Sequence, residues 1–552
     1  MFKKFLNWKL LLFSITILAA ILRFYQLGSN PPSLTWDEVA WGYNAYSLSV
    51  DAKDEFGKFL PITYLESFGD FKPPAYAYLT VIPVMFFGLS EFAVRFPSAL
   101  FGTLTVLLTY FLVIRIFPNS KNKELVAILS ALFLAISPWH IMLSRAAFEA
   151  NVANFFIVTG IWAFLGGVQG KKWLLLVSAV SFALSFYAFN TARIISPLLV
   201  ILLAFVFRKR LFELKKTTLY SILLGLIIVV PLVPFLFTPQ AQLRFKEVNI
   251  FTDSQVIETA NKYIEQNGGA AWSNIMHNRR ILFSLEYVKH YLDHFSPAFL
   301  FISGDENPKF SVQDVGQMYI WDILFLVTGI IFLFKRKEGL YYIIPLWLLV
   351  GIIPAATARE TPHALRIETT LPTWQIITAY GFVVFLEWAR KLNIKIRDYK
   401  LKAAYALPLI VFFFLFINVL YFLHNYYAHY PKTWSGEWQY GYKEAIDYVK
   451  SVEENYDKIV VTTALGRPYA YFLFYNKTNP ELFRKTAVVE RDPFGFVTVN
   501  SFGKYHFSGQ FDQFEQDGDK NLYINIAAPD SADIKKTFYL LNGNPVLVAY
   551  EF

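Results

Sequence analysis

Runs of about twenty mostly apolar residues recur along this chain, and each is long enough to cross the roughly 30 Å hydrocarbon core of a bilayer as a helix. Candidate spans lie at about residues 10–28, 98–117, 125–143, 149–166, 173–190, 194–207, 219–237, 318–334, 340–356, 370–388 and 404–423. Backbone polar groups in hydrocarbon must be satisfied within their own segment, so these stretches are confined to helices. Composition agrees: 55% of the 552 residues are hydrophobic and only 17% are charged, against about 25% charged in soluble domains. Such apolarity excludes disorder and argues against a nucleic-acid partner despite the net charge of +9. The chain has no cysteine, which excludes disulfides, thiolate metal sites and cysteine nucleophiles.

Lys and Arg in short loops favour the cytoplasm. Lys121 and Lys123, Lys171 and Lys172, the cluster Arg208 to Lys216, Lys335 to Lys337, and the stretch Arg390 to Lys402 are each separated by one intervening loop. All can therefore be cytoplasmic together, with the N-terminus, where Lys3, Lys4 and Lys9 precede the first span. Residues 29–97, the long loop 238–317 and the tail 424–552 then fall outside. Parity makes residues 74–89 a juxtamembrane or re-entrant helix. The reading is an all-α polytopic membrane protein over residues 1–423, with about 11 spans plus juxtamembrane helices. The tail is a small extracytoplasmic α/β domain: 442–452 reads as a helix, and KIVVTT, NLYINI and the final 545–550 stretch as strands.

Charged residues gather in the outward turns. They are Trp36-Asp37-Glu38 after the first span, Asp70-Phe71-Lys72-Pro73-Pro74 before the juxtamembrane helix, Arg145 and Glu149, Arg193, and His363 with Arg366. Carboxylates can take a proton from an attacking hydroxyl, and Arg or Lys neutralise a phosphate. Both together at headgroup level suit transfer from a lipid-linked phosphate donor. Structural roles compete at every position. Asp37 and Glu38 can cap a helix, and Arg145 with Glu149 can form an i,i+4 pair. Lys72 can snorkel, Arg193 can anchor at the interface, and His363 with Arg366 can touch headgroups. Arg95 and Glu91 read as a structural pair. No cluster has convincing metal spacing; a divalent ion bridging Asp37, Glu149 and a phosphate stays open.

The Asp-Glu pair after the first span, the Lys-Pro-Pro segment, Glu91 through Leu100, and Ser137-Pro138-Trp139-His140 through Ser144, Arg145 and Glu149 resemble the GT-C membrane glycosyltransferases. The types in view are the protein O-mannosyltransferases and bacterial lipid A aminoarabinose transferases (glycosyltransferase family 39-like). The resemblance covers roughly the first 200 residues. It implies a polyprenyl-phosphate sugar donor, an envelope lipid, glycan or protein acceptor, and transfer on the outer face with inversion. It also implies Asp37 as catalytic base with Glu38 beside it, Glu149 as second acid, and Lys72 on the donor phosphate. Arg145, Arg193, His363 and Arg366 are assigned to donor contact by position and charge. Lys-Pro-Pro in place of His-Pro-Pro argues against protein O-mannosylation. Transfer of a whole lipid-linked glycan and a non-catalytic membrane scaffold are the alternatives.

Overall fold

The computed structural model describes residues 7–396, 399–492, 497–515 and 518–552. Lys3 and Lys4 of the N-terminal basic group and Arg397 of the last basic stretch lie outside them. Among the described residues, four helices are long and apolar enough to cross a membrane: Glu91–Ile116, Glu149–Val168, Lys215–Leu236 and Ala406–Trp438. A fifth is a pair, Lys123–Ile136 and Pro138–Arg145, bent by 55°. The bend falls at Ser137, whose backbone is extended (φ −60°, ψ 126°), as a residue before proline prefers. Shorter apolar helices run over Leu174–Ala188, Ala192–Val206 and Ile343–Thr357. Ala75–Phe87, with 13 residues, rises only about 20 Å at 1.5 Å per residue. That is less than a bilayer core needs, as is true of the 15-residue helices Leu174–Ala188 and Ala192–Val206.

The chain divides into two compact units. The first comprises residues 1–22, 102–142 and 150–422 and is helical apart from a short hairpin, Asn393–Ile396 with Tyr399–Lys402. Its centre is Thr373–Ala389, buried on nearly every side over 373–384. This helix packs on Asp322–Arg336 where Gly381 and Gly329 meet the partner backbones, leaving no room for a Cβ at either. Small residues allow such close approach between membrane helices. Lys215–Leu236 instead leaves most of its apolar surface uncovered, with Leu219, Ile222, Leu226 and Ile227 exposed.

The long segment 238–317 is helical over Pro239–Val248, Ser254–Gln266, Ala271–Met276 and Arg279–Asp293. His290 of the last helix holds the turn that follows Ile343–Ile352: its Nδ1 lies 2.8 Å from the Ala358 carbonyl, and its Nε2 lies 2.9 Å from Glu286.

The second unit is built from three separated stretches, 23–101, 143–149 and 423–552. Its sheet has seven strands with Lys458–Thr462 at the centre, parallel to both Asn521–Asn525 and Tyr505–Ser508. The helix at 442–452 and the strands at 458–462, 521–525 and 545–551 agree with the sequence pattern. Val488–Arg491, Val497–Phe502, Tyr505–Ser508 and Asp533–Tyr539 do not carry it. The two outermost, 488–491 and 533–539, are mostly exposed and rich in charge, as edge strands are. The division does fall at 422/423, but it groups the tail with residues 23–101 and 143–149. Asn30 donates to the Tyr426 carbonyl at 2.9 Å, Tyr471 to that of Leu34 at 3.1 Å, and Val497 to that of Phe68 at 3.2 Å. The first loop and the tail share one core.

Candidate active site

The site in the second unit begins with a helix start. Thr35 is the N-cap of Trp36–Asp51, and a reciprocal capping box joins its hydroxyl to the Glu38 N–H and the Glu38 carboxylate to the Thr35 N–H. Glu38 is buried, and its oxygens accept four bonds in all. Oε1 takes Arg95 Nε at 2.8 Å and the Ala147 N–H at 3.0 Å; Oε2 takes the Thr35 N–H at 3.0 Å and Arg95 Nη2 at 3.2 Å. The Arg95 guanidinium also donates to the carbonyls of Leu27, Pro31 and Ser33. Its partner is thus Glu38. Glu91, which the sequence pairs with Arg95, instead receives Lys443 at 2.7 Å. Glu38 and Arg95 tie the first loop together, and this fixes the neighbouring Asp37.

Asp37 points the other way, its side chain 55% exposed, and forms an ion pair with the nearly buried Lys72. Lys72 arrives on a hairpin, Leu65–Ser67 against Asp70–Lys72. The two-residue turn puts Phe68 at φ +61° and Gly69 at φ +79°, the handedness that suits tight hairpins. The ammonium lies 5.2 Å from the Trp41 ring and 5.3 Å from the Phe68 ring. Burial opposes its charge, yet Asp37, Asp70 and Glu149 outweigh that and hold the Lys72 pKa above the usual lysine range. Glu149, the first residue of its helix, thus shares a field with Asp37 and Lys72. The sequence counts Asp70 among the outward charged residues and gives it no role; the hairpin brings it to the Lys72 ammonium.

Arg145 is fully buried. Its Nε donates to the Tyr426 hydroxyl at 3.0 Å, Nη1 to the Arg23 carbonyl at 3.2 Å, and Nη2 to the Asn30 carbonyl at 2.8 Å. These bonds bind three chain segments and replace the helical pairing with Glu149 that the spacing allows.

Arg193, His363 and Arg366 belong to the first unit. Arg193 Nε donates to the Phe186 carbonyl at 3.2 Å, and its guanidinium lies 5.9 Å from the Phe235 ring. The His363 ring lies 4.9 Å from that of Phe310, tilted by 36°, with Nδ1 3.9 Å from Asp305 Oδ2. Arg366 donates to the Glu360 carbonyl at 3.1 Å. Asp305, unmarked by sequence, organises this turn by accepting the N–H groups of Ala364 at 2.6 Å and Asn307 at 2.8 Å. Burial pushes its pKa up to about 6 despite these bonds. His294 accepts the His363 N–H at 3.3 Å on Nε2, and its Nδ1 lies 2.8 Å from the His290 carbonyl. Burial lowers its pKa to about 4, so the ring is neutral. Among the described residues no three His, Asp or Glu side chains are grouped to hold a metal ion.

Residues 71–235 match the family model described as dolichyl-phosphate-mannose-protein mannosyltransferase. A stretch of 177 residues is 33% identical to an uncharacterized protein of Aquifex aeolicus (strain VF5), covering 31% of this chain and 33% of that protein. This chain thus spans only about a third of that curated relative. Likeness of fold extends much further. The apo crystal structure of ArnT from Cupriavidus metallidurans matches with a TM-score of 0.53 at 11% identity, covering 98% of this chain and 97% of ArnT. ArnT bound to undecaprenyl phosphate matches at 0.52, with 12% identity and 98% of each chain covered. The Archaeoglobus fulgidus oligosaccharyltransferase matches at 0.52 with 14% identity, over 85% of this chain and 63% of that one.

Proposed function

We propose that this chain, whose fold is that of the GT-C membrane glycosyltransferases, moves a sugar from a polyprenyl-phosphate donor to an envelope acceptor on the extracytoplasmic face. Eleven spans, with the basic loops inside and residues 29–97, 238–317 and 424–552 outside, are the layout that goes with this reading. The observation that carries it is the exposed Asp37 carboxylate held beside a buried, charged Lys72, with Asp70 and Glu149 acting on the same ammonium.

In this mechanism the donor phosphate takes Lys72 from Asp37, so donor binding itself frees the base. The acceptor hydroxyl attacks the anomeric carbon while the bond from that carbon to the phosphate oxygen breaks. The electron pair leaves on polyprenyl phosphate, stabilised by Lys72 in a partly dry site. Asp37 accepts the hydroxyl proton, and the anomeric centre inverts. Glu149 orients the acceptor or Asp37. Arg193, His363 and Arg366 are assigned to the donor.

Purified protein in lipid, offered a panel of radiolabelled polyprenyl-phosphate sugars with an envelope extract, tests this. Consumption by the wild type that disappears in Asp37→Asn, with both proteins equally folded, is expected. Equal consumption by both removes Asp37 from the mechanism, and no consumption of any donor removes the proposal.

A further inference from the structure

Loops at the carboxyl ends of parallel strands are where α/β sheets collect ligand-binding groups. The loop leaving the central strand Lys458–Thr462 runs through residues 463–467 and reaches the site just described. Gly466 stands at φ +116°, and a Cβ there would lie 2.7 Å from the indole of Trp36, the residue before Asp37. Only glycine lets the loop rest on that ring. The next residue, Arg467, lays its guanidinium 5.5 Å from the Phe68 ring, the same ring that faces the Lys72 ammonium at 5.3 Å.

Two cations therefore share one aromatic platform, and they differ in one respect. Lys72 has Asp37. Arg467 is half-buried and has no carboxylate partner among the described residues. Phe68 belongs to the hairpin turn itself, so the platform is carried on the same element as Lys72.

We infer that Arg467 is an oxyanion-binding residue of the Asp37–Lys72 site, taking the phosphate or carboxylate of a substrate. A planar guanidinium held over an aromatic ring can present its fork to two oxygens at once. The oxyanion is either the donor's phosphate, reached together with Lys72, or an acidic group on the acceptor beside its attacking hydroxyl. The inference rests on the glycosyl-transfer reading for the identity of these substrates, although not for the anion chemistry itself.

The test uses the full-length protein in lipid nanodiscs, with undecaprenyl phosphate and inorganic phosphate as probes, and compares the wild type with Arg467→Gln and Arg467→Lys. If the donor is the source, undecaprenyl phosphate binds Arg467→Gln at least tenfold more weakly than wild type. If an acidic acceptor is the source, that affinity stays within twofold. In that case inorganic phosphate added to the undecaprenyl-phosphate complex stabilises the wild type thermally but leaves Arg467→Gln unchanged. Arg467→Lys, which keeps the charge without the fork, should fall between and shows that loss of folding is not the cause. Both probes acting on Arg467→Gln as on wild type overturns the inference. Wild type that consumes no donor, while its anion binding still depends on Arg467, overturns the glycosyl-transfer reading alone.

Discussion

At the scale of single residues, Asp37 and Glu38 are neighbours with opposite situations. A helix turns adjacent side chains about 100° apart, so one carboxylate faces the interior and the other the site. Glu38→Gln should leave Arg95 as an uncompensated buried charge, which costs about 3–5 kcal/mol. The expected outcome is a lower melting temperature, followed by tryptophan fluorescence in detergent. Asp37→Asn should keep the melting temperature of wild type and lose transfer. The adjacent acids were legible in the sequence, as was the capping role open to both. Which one caps was not, because that depends on Arg95 arriving from 57 residues away.

Asp305 and His294 give the same scale a pH dependence. Asp305 titrates near 6 when folded and near 4 when unfolded. The folded state thus holds more protons across that window, and this group's contribution to stability falls as pH rises from about 4 to 6. His294, lowered to about 4, binds fewer protons folded than unfolded, and its contribution rises from about pH 4 to 6.5. Asp305→Asn removes the falling component, so stability of that variant should climb more steeply with pH between 4 and 6 than that of wild type. Melting temperatures measured across this range check it, and parallel curves would dismiss the Asp305 assignment.

At the scale of elements, apolar length announced most of the helices and failed where packing or a local break intervened. The run at 125–143 reads as one span because its apolarity is continuous, whereas Pro138 bends it. The run at 98–117 begins earlier in the structure, at Glu91, because the charged Glu91 and Arg95 are paired with groups elsewhere in the second unit and the helix continues through them. Lys72 illustrates the limit for the site. Its position follows from a turn of two residues, but nothing in the spacing says that the hairpin folds back onto Asp37, 35 residues earlier. The contact of 322–336 with 373–389 is equally silent in composition, since its determinants are two glycines. Gly381→Val or Gly329→Leu should force these helices apart. The measurable result is loss of monodisperse protein in size-exclusion chromatography, while Gly225→Ala, where a Cβ would meet nothing nearer than 3.6 Å, should elute as wild type.

At the scale of the whole chain, a composition shift near residue 424 suggests a separable tail, and the shift itself is real. The structure nonetheless groups residues 423–552 with 23–101 and 143–149. Composition records which solvent a segment meets, and it carries no information about which other segment completes its core. Expressed alone, residues 424–552 should therefore be protease-sensitive, lacking Leu34, Phe68 and Trp36 as packing partners. A compact, protease-resistant fragment with a cooperative thermal transition would show the opposite.

The interleaving of the second unit also sets a timetable for biosynthesis. Leu34 and Tyr471 are joined by a hydrogen bond across 437 residues of sequence. At 5–20 residues per second, the first segment leaves the ribosome roughly 20–90 s before its partner is made. Throughout that interval Trp36, Phe68 and the Asp37–Lys72 ion pair must wait without the surface that completes them. A nascent chain of this kind cannot acquire its site one helix at a time, and an interrupted product carries the first acidic loop in an unfinished state. The bond between Leu34 and Tyr471 thus also reports that translation has passed residue 471, and its absence would leave unfinished chains open to chaperones and proteases.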